Sequence, residues 1–340
     1  MTSFSQLTLD QQVGQRLLVG FQGAHFDDDL KYLIETLKVG GVILFAANIE
    51  SPHQVGELIH DMQTHAAQCG LPPLFVAVDQ EGGVVARMKE PLTLFPQGAP
   101  ALKTPEDARH FGATTGKELF ACGYTMDMAP VLDVQPKGFS GIMEKRVFPG
   151  SPKEVGTLGI HVMHSLESQG VLSVVKHFPG IGRTTLDSHL TLPFLETPLS
   201  ELEKSDLIPF QMAFEAGASC VMLSHIQYTD IDPDWPASLS PKVVKSLLRK
   251  QMGFRGVVMT DDLDMKAITC NMETAARQIT LSDVDIALIC HRSPRYETLA
   301  ESFKKMAETY PEAHKRCVKR VLALKEKMHI VQKTVDGSPS

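Results

Sequence analysis

The chain has 340 residues, with 33 Lys+Arg against 40 Asp+Glu and a formal charge of −7. Its 43% apolar fraction supports a large core and excludes global disorder, and mild acidity without a basic stripe leaves no footprint for nucleic acid. No run of about 18 apolar residues predicts a membrane span, and the polar start, Met1 to Gln12, carries no basic-then-apolar targeting signal.

Eight short apolar or β-branched runs read as strands: Leu17–Phe21, Gly41–Phe45, Phe75–Asp79, Met126–Asp133, Ser173–Pro179, Cys220–Ile226, Gly256–Leu263 and Asp285–Cys290. Most are nearly continuously apolar, as expected of strands covered on both faces. Helical patterns lie between them. Val55, Leu58, Ile59 and Met62 fall at i, i+3, i+4, i+7. A hydroxyl cap followed by proline marks helix starts at Ser51-Pro52, Thr104-Pro105, Ser151-Pro152, Ser240-Pro241 and Ser293-Pro294. Ser151 with Glu154, and Ser200 with Glu203, fit a capping box. A last helix is predicted near Glu312–Met328, and a flexible tail over 333–340, where Gly337 and Pro339 break the pattern.

Strand–helix alternation repeated eight times predicts an α/β chain folded as one (β/α)8 TIM barrel over residues 1–332, with an open doubly wound sheet as the alternative. The six cysteines show no pairing or zinc-ligand spacing, and Cys122, Cys220, Cys270 and Cys290 lie in or beside apolar stretches. They read as reduced thiols of a cytoplasmic protein. No cofactor or metal is expected, and no oligomeric state is read.

A parallel barrel carries its chemistry at the C-terminal ends of its strands. Ionisable residues follow five of the eight runs directly. The third ends in Asp79-Gln80-Glu81-Gly82-Gly83, with Arg87 beyond, and the fourth in Asp133. The fifth ends in Lys176-His177-Phe178-Pro179-Gly180 and continues through Arg183 to Asp187-Ser188-His189. The sixth ends in Ser224-His225, and the seventh in Thr260-Asp261-Asp262-Leu263-Asp264. Unpaired buried charge is costly, so this pattern reads as a polar mouth lined with carboxylates and cations.

The Lys-His-Phe-Pro-Gly run, the Asp-Ser-His that follows it, Asp79-Gln80-Glu81-Gly82-Gly83 and Asp261-Asp262-Leu263 together resemble glycoside hydrolase family 3. Within it they are similar to the single-domain bacterial β-N-acetylhexosaminidases of peptidoglycan recycling. The resemblance spans nearly the whole chain. It implies a retaining exo-acting β-N-acetylglucosaminidase whose partner is a small carbohydrate carrying a terminal N-acetylglucosamine. It makes Asp261 the nucleophile and His189, oriented by Asp187, the acid/base. An imidazole titrates near working pH, which suits both protonating the leaving oxygen and deprotonating water. Asp79, Arg87, Arg146, Lys176 and His177 match positions that hold the sugar.

Plainer roles stand beside these. A helix N-terminal carboxylate suits Asp262 or Asp264 better than Asp261. Asp187 and His189 fit a local Asx-turn, Arg87 and Arg146 a salt-bridged rim, and Lys176 a buried ion pair. Asp133 and His225 divide between the site and structural hydrogen bonding. The chain departs from the family pattern at Ile181-Gly182-Arg183-Thr184, at Gly82-Gly83-Val84-Val85 and at Arg146-Val147-Phe148-Pro149. Arg183 in this loop would favour an anionic aglycone such as a muramic-acid residue. Competing activities are a β-N-acetylglucosaminide phosphorylase on the same scaffold, a Schiff-base aldolase using Lys176, and a sugar-binding protein with a decayed site. Gly82-Gly83 reads as a close backbone approach at the barrel mouth.

Overall fold

All eight expected runs contain strands in the computed structural model, which describes residues 3–184 and 192–336. They are β1 (Leu17–Val19), β2 (Gly41–Leu44), β3 (Phe75–Val78), β4 (Met126–Asp127), β5 (Leu172–Ser173 and Val175–Phe178), β6 (Cys220–Leu223), β7 (Val257–Asp262) and β8 (Ile286–Ile289). Each is parallel to the next, and β8 returns to β1 with Leu17 opposite Ala287. β5 is interrupted at Val174. Its first piece pairs with β4 and its second with β6, so the two halves of one strand join the sheet's ends. The ring is closed: this is a single-domain (β/α)8 barrel, not an open sheet.

Alternate residues on each strand serve two cores, which is why the runs read as nearly continuous apolar sequence. Leu18, Ile43, Phe75, Ala77, Met222, Met259 and Leu288 fill the barrel. Val19, Val42, Leu44, Val76 and Val78 face outward onto the helices. Val321, Leu324 and Met328 of the last helix join the interior cluster.

Two expected elements change length for local reasons. The fourth run leaves the ladder after Asp127, because Pro130 has no N–H to give it. An isolated Val131–Lys176 bridge, with Leu132 N donating to Lys176 O at 2.7 Å, carries the chain on to the barrel mouth. The last helix runs from Pro311 to Asp336, past residue 332 where a tail was expected. Nothing in the sequence breaks it before Gly337.

Ser51, Thr104 and Ser151 cap helices beginning at Pro52, Pro105 and Pro152, and the Ser151–Glu154 box forms. Ser240 Oγ accepts from Val243 N at the head of Lys242–Gln251, a segment wound as a π-helix. The Ser200–Glu203 box does not form. Ser200 sits inside the short Leu199–Leu202 helix, and Asp230 Oδ2 takes the Leu199 N–H instead. All six cysteines are unpaired; Cys317 is buried and Cys270 only half-buried, the reverse of what their flanking sequence suggests. Among the described residues, no helix is long and apolar enough to cross a membrane.

Candidate active site

The end of β3 passes Asp79 and folds into a small antiparallel hairpin, Gln80–Gly82 against Val85–Ala86. Gly82 and Gly83 turn it, at φ +76° and +61°, where side chains other than glycine's are strained. They also admit the backbone of Gly98: a Cβ on Gly98 would lie 2.8 Å from Gly83 N. The buried Gln80 side chain rivets the hairpin, its Oε1 accepting from Arg87 N at 2.9 Å and Met88 N at 3.0 Å. The rivet returns Arg87 over Asp79, with Nη2 3.4 Å from Oδ2, and its guanidinium covers the Phe45 ring.

Opposite charges alternate from there. Lys176 Nζ lies 2.8 Å from Asp79 Oδ1 and 2.6 Å from Glu81 Oε1. Arg146 grips Glu81 with both Nε (2.9 Å) and Nη2 (2.7 Å). Burial alone would raise the Glu81 carboxyl, but Lys176 and Arg146 hold it down to about 2. Burial likewise opposes a charged Lys176, yet Asp79 and Glu81 keep its pKa above the ordinary lysine value. A lysine held protonated this way is no Schiff-base nucleophile, so the geometry disfavours an aldolase. Behind the network Asp127 is fully buried; burial raises its carboxyl to about 7, and its Oδ2 has no hydrogen-bond partner.

His177 is fixed by Asp133, whose Oδ2 lies 2.8 Å from Nδ1 and whose Oδ1 accepts from Ile181 N at 2.8 Å. With Nδ1–H given to that carboxylate, Nε2 turns toward Arg146 Nη2, 3.5 Å away. Asp133 is thus a positioning residue for His177. His225 has a similar place: Nε2 lies 2.9 Å from Asp262 O and Nδ1 2.7 Å from Ser238 Oγ. A carbonyl only accepts, so Nε2 carries the proton and holds the main chain beside Asp261.

The two carboxylates ending β7 are not equivalent. Asp262 Oδ1 accepts from Asp264 N and Cys290 N, a turn-forming role. Burial, with Asp264 and Asp261 nearby, raises it to about 6. Asp261 accepts from Asp262 N at 2.8 Å. Burial pushes its carboxyl up, but His225 and His177 outweigh that and leave its pKa below the ordinary aspartate value. Asp261 is therefore a half-buried carboxylate held in its ionised form.

Asp79, Arg87, Arg146, Lys176, His177 and Asp261 line one pocket of about 300 Å³, with Phe45, Met222 and Leu288 among its apolar walls. The sequence singled out these six, and folding brings them together. Asp187 and His189, expected as the acid/base pair, lie outside the described residues. Arg183, offered for an anionic aglycone, is engaged by two carboxylates of this chain: Nε binds the buried Asp206 at 2.9 Å and Nη1 binds Glu201 at 2.7 Å. Glu81 was quoted in the sequence motif but given no role. Its signal is the two-residue spacing from Asp79, which puts both carboxylates on one face of the hairpin. Phe45 and His291, stacked with centroids 6.3 Å apart at the rim, had no sequence signal beyond following strands β2 and β8.

The model of the glycosyl hydrolase family 3 N-terminal domain matches residues 8–324. A β-hexosaminidase of Nitrosomonas eutropha is 36% identical over 276 residues, which is 78% of this chain and 78% of that protein. The solved family 3 β-N-acetylglucosaminidase of a Paenibacillus species superposes with a TM-score of 0.92 at 35% identity. That match covers 98% of this chain and 64% of the Paenibacillus chain, so this chain spans less than two thirds of that protein. The β-N-acetylhexosaminidase of Beutenbergia cavernae matches at a TM-score of 0.85 and 29% identity, over 94% of this chain and 99% of that one.

Proposed function

The chain belongs to glycosyl hydrolase family 3 and is a glycoside hydrolase of the β-N-acetylhexosaminidase kind; on that premise we propose that it is a retaining exo-β-N-acetylglucosaminidase acting on peptidoglycan-derived fragments in the cytoplasm. The observation that carries the retaining reading is the place of Asp261, a half-buried strand-end carboxylate that opens on the pocket among Asp79, Arg87, Arg146, Lys176 and His177 and is held below the ordinary aspartate pKa. In the proposed first step Asp261 attacks the anomeric carbon while the glycosidic oxygen takes a proton from His189, with Asp187 orienting that imidazole. The aglycone leaves and a glycosyl-enzyme ester forms. Water, deprotonated by the same histidine, then releases the sugar and restores Asp261.

Asp79 accepts from sugar hydroxyls, while Arg87, Arg146 and Lys176 donate and His177 presents Nε2. Each of these groups already has a charged partner at the site, so little reorganisation accompanies sugar binding. A pocket of about 300 Å³ is at the small end for ligand sites and suits one terminal sugar ring.

Aryl β-N-acetylglucosaminide and aryl β-glucoside, each assayed with and without phosphate, test this reading. We expect the acetamido sugar to be preferred and released as the free sugar whether or not phosphate is present. Equal rates on the two sugars would refute the acetamido preference. Accumulation of the 1-phosphate would make the enzyme a phosphorylase.

A further inference from the structure

Away from the barrel mouth, two helices end side by side. One runs Asp28–Glu35 and the other Pro52–Gln68, with Cys69 as its C-cap. His65 and Cys69 are four residues apart and so share one helix face. Glu35 closes the neighbouring helix against them. A ring nitrogen of His65, Cys69 Sγ and a Glu35 carboxylate oxygen all lie within 4.8 Å of one another.

The His65–Glu35 contact has an unusual geometry. Nε2 is 2.7 Å from Glu35 Oε1, yet it is buried and makes no hydrogen bond, because the approach is too far out of line. Phe26, edge-on to the imidazole at 5.2 Å, pins the ring there. Lys38 Nζ goes to the Glu35 carbonyl and leaves the carboxylate open on this side.

We infer that Glu35, His65 and Cys69 form a binding site for a zinc-like divalent transition metal at this junction of two helix ends. Nitrogen, sulfur and oxygen donors in this combination suit borderline-soft ions such as zinc or cobalt rather than magnesium or calcium. Zinc bonds of about 2.0–2.3 Å in a tetrahedron set ligand atoms about 3.3–3.8 Å apart, so the 2.7 Å His65–Glu35 pair must open while the Cys69 sulfur stays within reach. Rotation of the exposed Glu35 side chain supplies that adjustment. The C-terminal ends of both helices carry partial negative charge, which favours a cation here. On binding, the Cys69 thiol gives its proton to solvent and its sulfur becomes the thiolate ligand, while the neutral imidazole and the carboxylate bind as they are. A solvent molecule completes four-coordination.

The probe is cobalt(II) added to the intact protein, followed by absorbance. The expected result is one equivalent bound with a thiolate-to-cobalt charge-transfer band in the near ultraviolet. Cys69→Ser should remove the band, and His65→Ala should weaken binding by at least about tenfold, a loss of about 1.4 kcal/mol. Cys270→Ser, at the other half-buried thiol, should leave the band intact. Circular dichroism and glycosidase activity of Cys69→Ser, expected unchanged, separate loss of a ligand from loss of fold. Absence of the band in the folded parent protein, its survival in Cys69→Ser, or an unchanged cobalt affinity in His65→Ala would overturn the proposal.

Discussion

At the scale of single residues, Glu81 decides the state of the site. It sits between Lys176 and Arg146 with a side chain 4% exposed, and it holds together two cations that would otherwise repel. Breaking a buried ion pair by removing one partner costs about 3–5 kcal/mol, because the remaining charge is left uncompensated. Glu81→Gln keeps the shape and removes the charge. It should lower the stability measured by urea unfolding by about that amount and raise KM as Lys176 and Arg146 shift. The pH dependence has a definite sign. A carboxyl depressed from 4.5 to about 2 adds stability above its ordinary pKa and loses it as pH falls toward 2. The parent protein should therefore lose its advantage over the Gln variant across that acid range, and an advantage independent of pH would contradict this account. The motif exposed the carboxylate, but only the folded hairpin shows the two cations converging on it.

At the scale of elements, continuous apolar runs bounded by polar residues made the strands legible, and Ser-Pro or Thr-Pro pairs marked five helix starts, with the hydroxyl residue as the cap at three of them. Effects that act across elements were not. Pro130 cut β4 short, Asp230 displaced a capping box, and the hairpin after Asp79 depends on a buried glutamine bonding to its own turn. The last helix hides another such effect. Lys325 is buried at the barrel's lower end, where its Nζ donates to Gly40 O at 2.7 Å and lies over the Phe75 ring. Burial lowers it from 10.5 to about 7. A lysine whose folded pKa is depressed is penalised wherever it must be protonated, so its contribution improves as pH rises from about 7 to 10.5. Lys325→Met should therefore be more stable than the parent, most clearly at pH 7 and below, and the gap should close toward pH 10. Gly40 O keeps a second donor, Phe75 N. A melting-temperature gap that is constant with pH would argue against a buried, penalised lysine.

At the scale of the whole molecule, barrel closure turns distance along the chain into proximity. Asp79, Lys176 and Asp261 stand at the C-terminal ends of three different strands and meet in one pocket. That convergence was legible because a parallel barrel always sends the C-terminal ends of its strands to one rim. The cluster of Glu35, His65 and Cys69 was not, because helix packing outside the barrel follows no comparable rule. In the proposed reaction Asp261 becomes covalently attached to the sugar. The most direct measurement of this attachment is mass spectrometry of the protein after exposure to a fluorinated N-acetylglucosaminyl substrate whose glycosyl-enzyme hydrolyses slowly. The expected result is a mass increase of one sugar residue, located on the peptide at Asp261 and absent in Asp261→Asn. Turnover of that substrate with no adduct, or an adduct on any other residue, would contradict it.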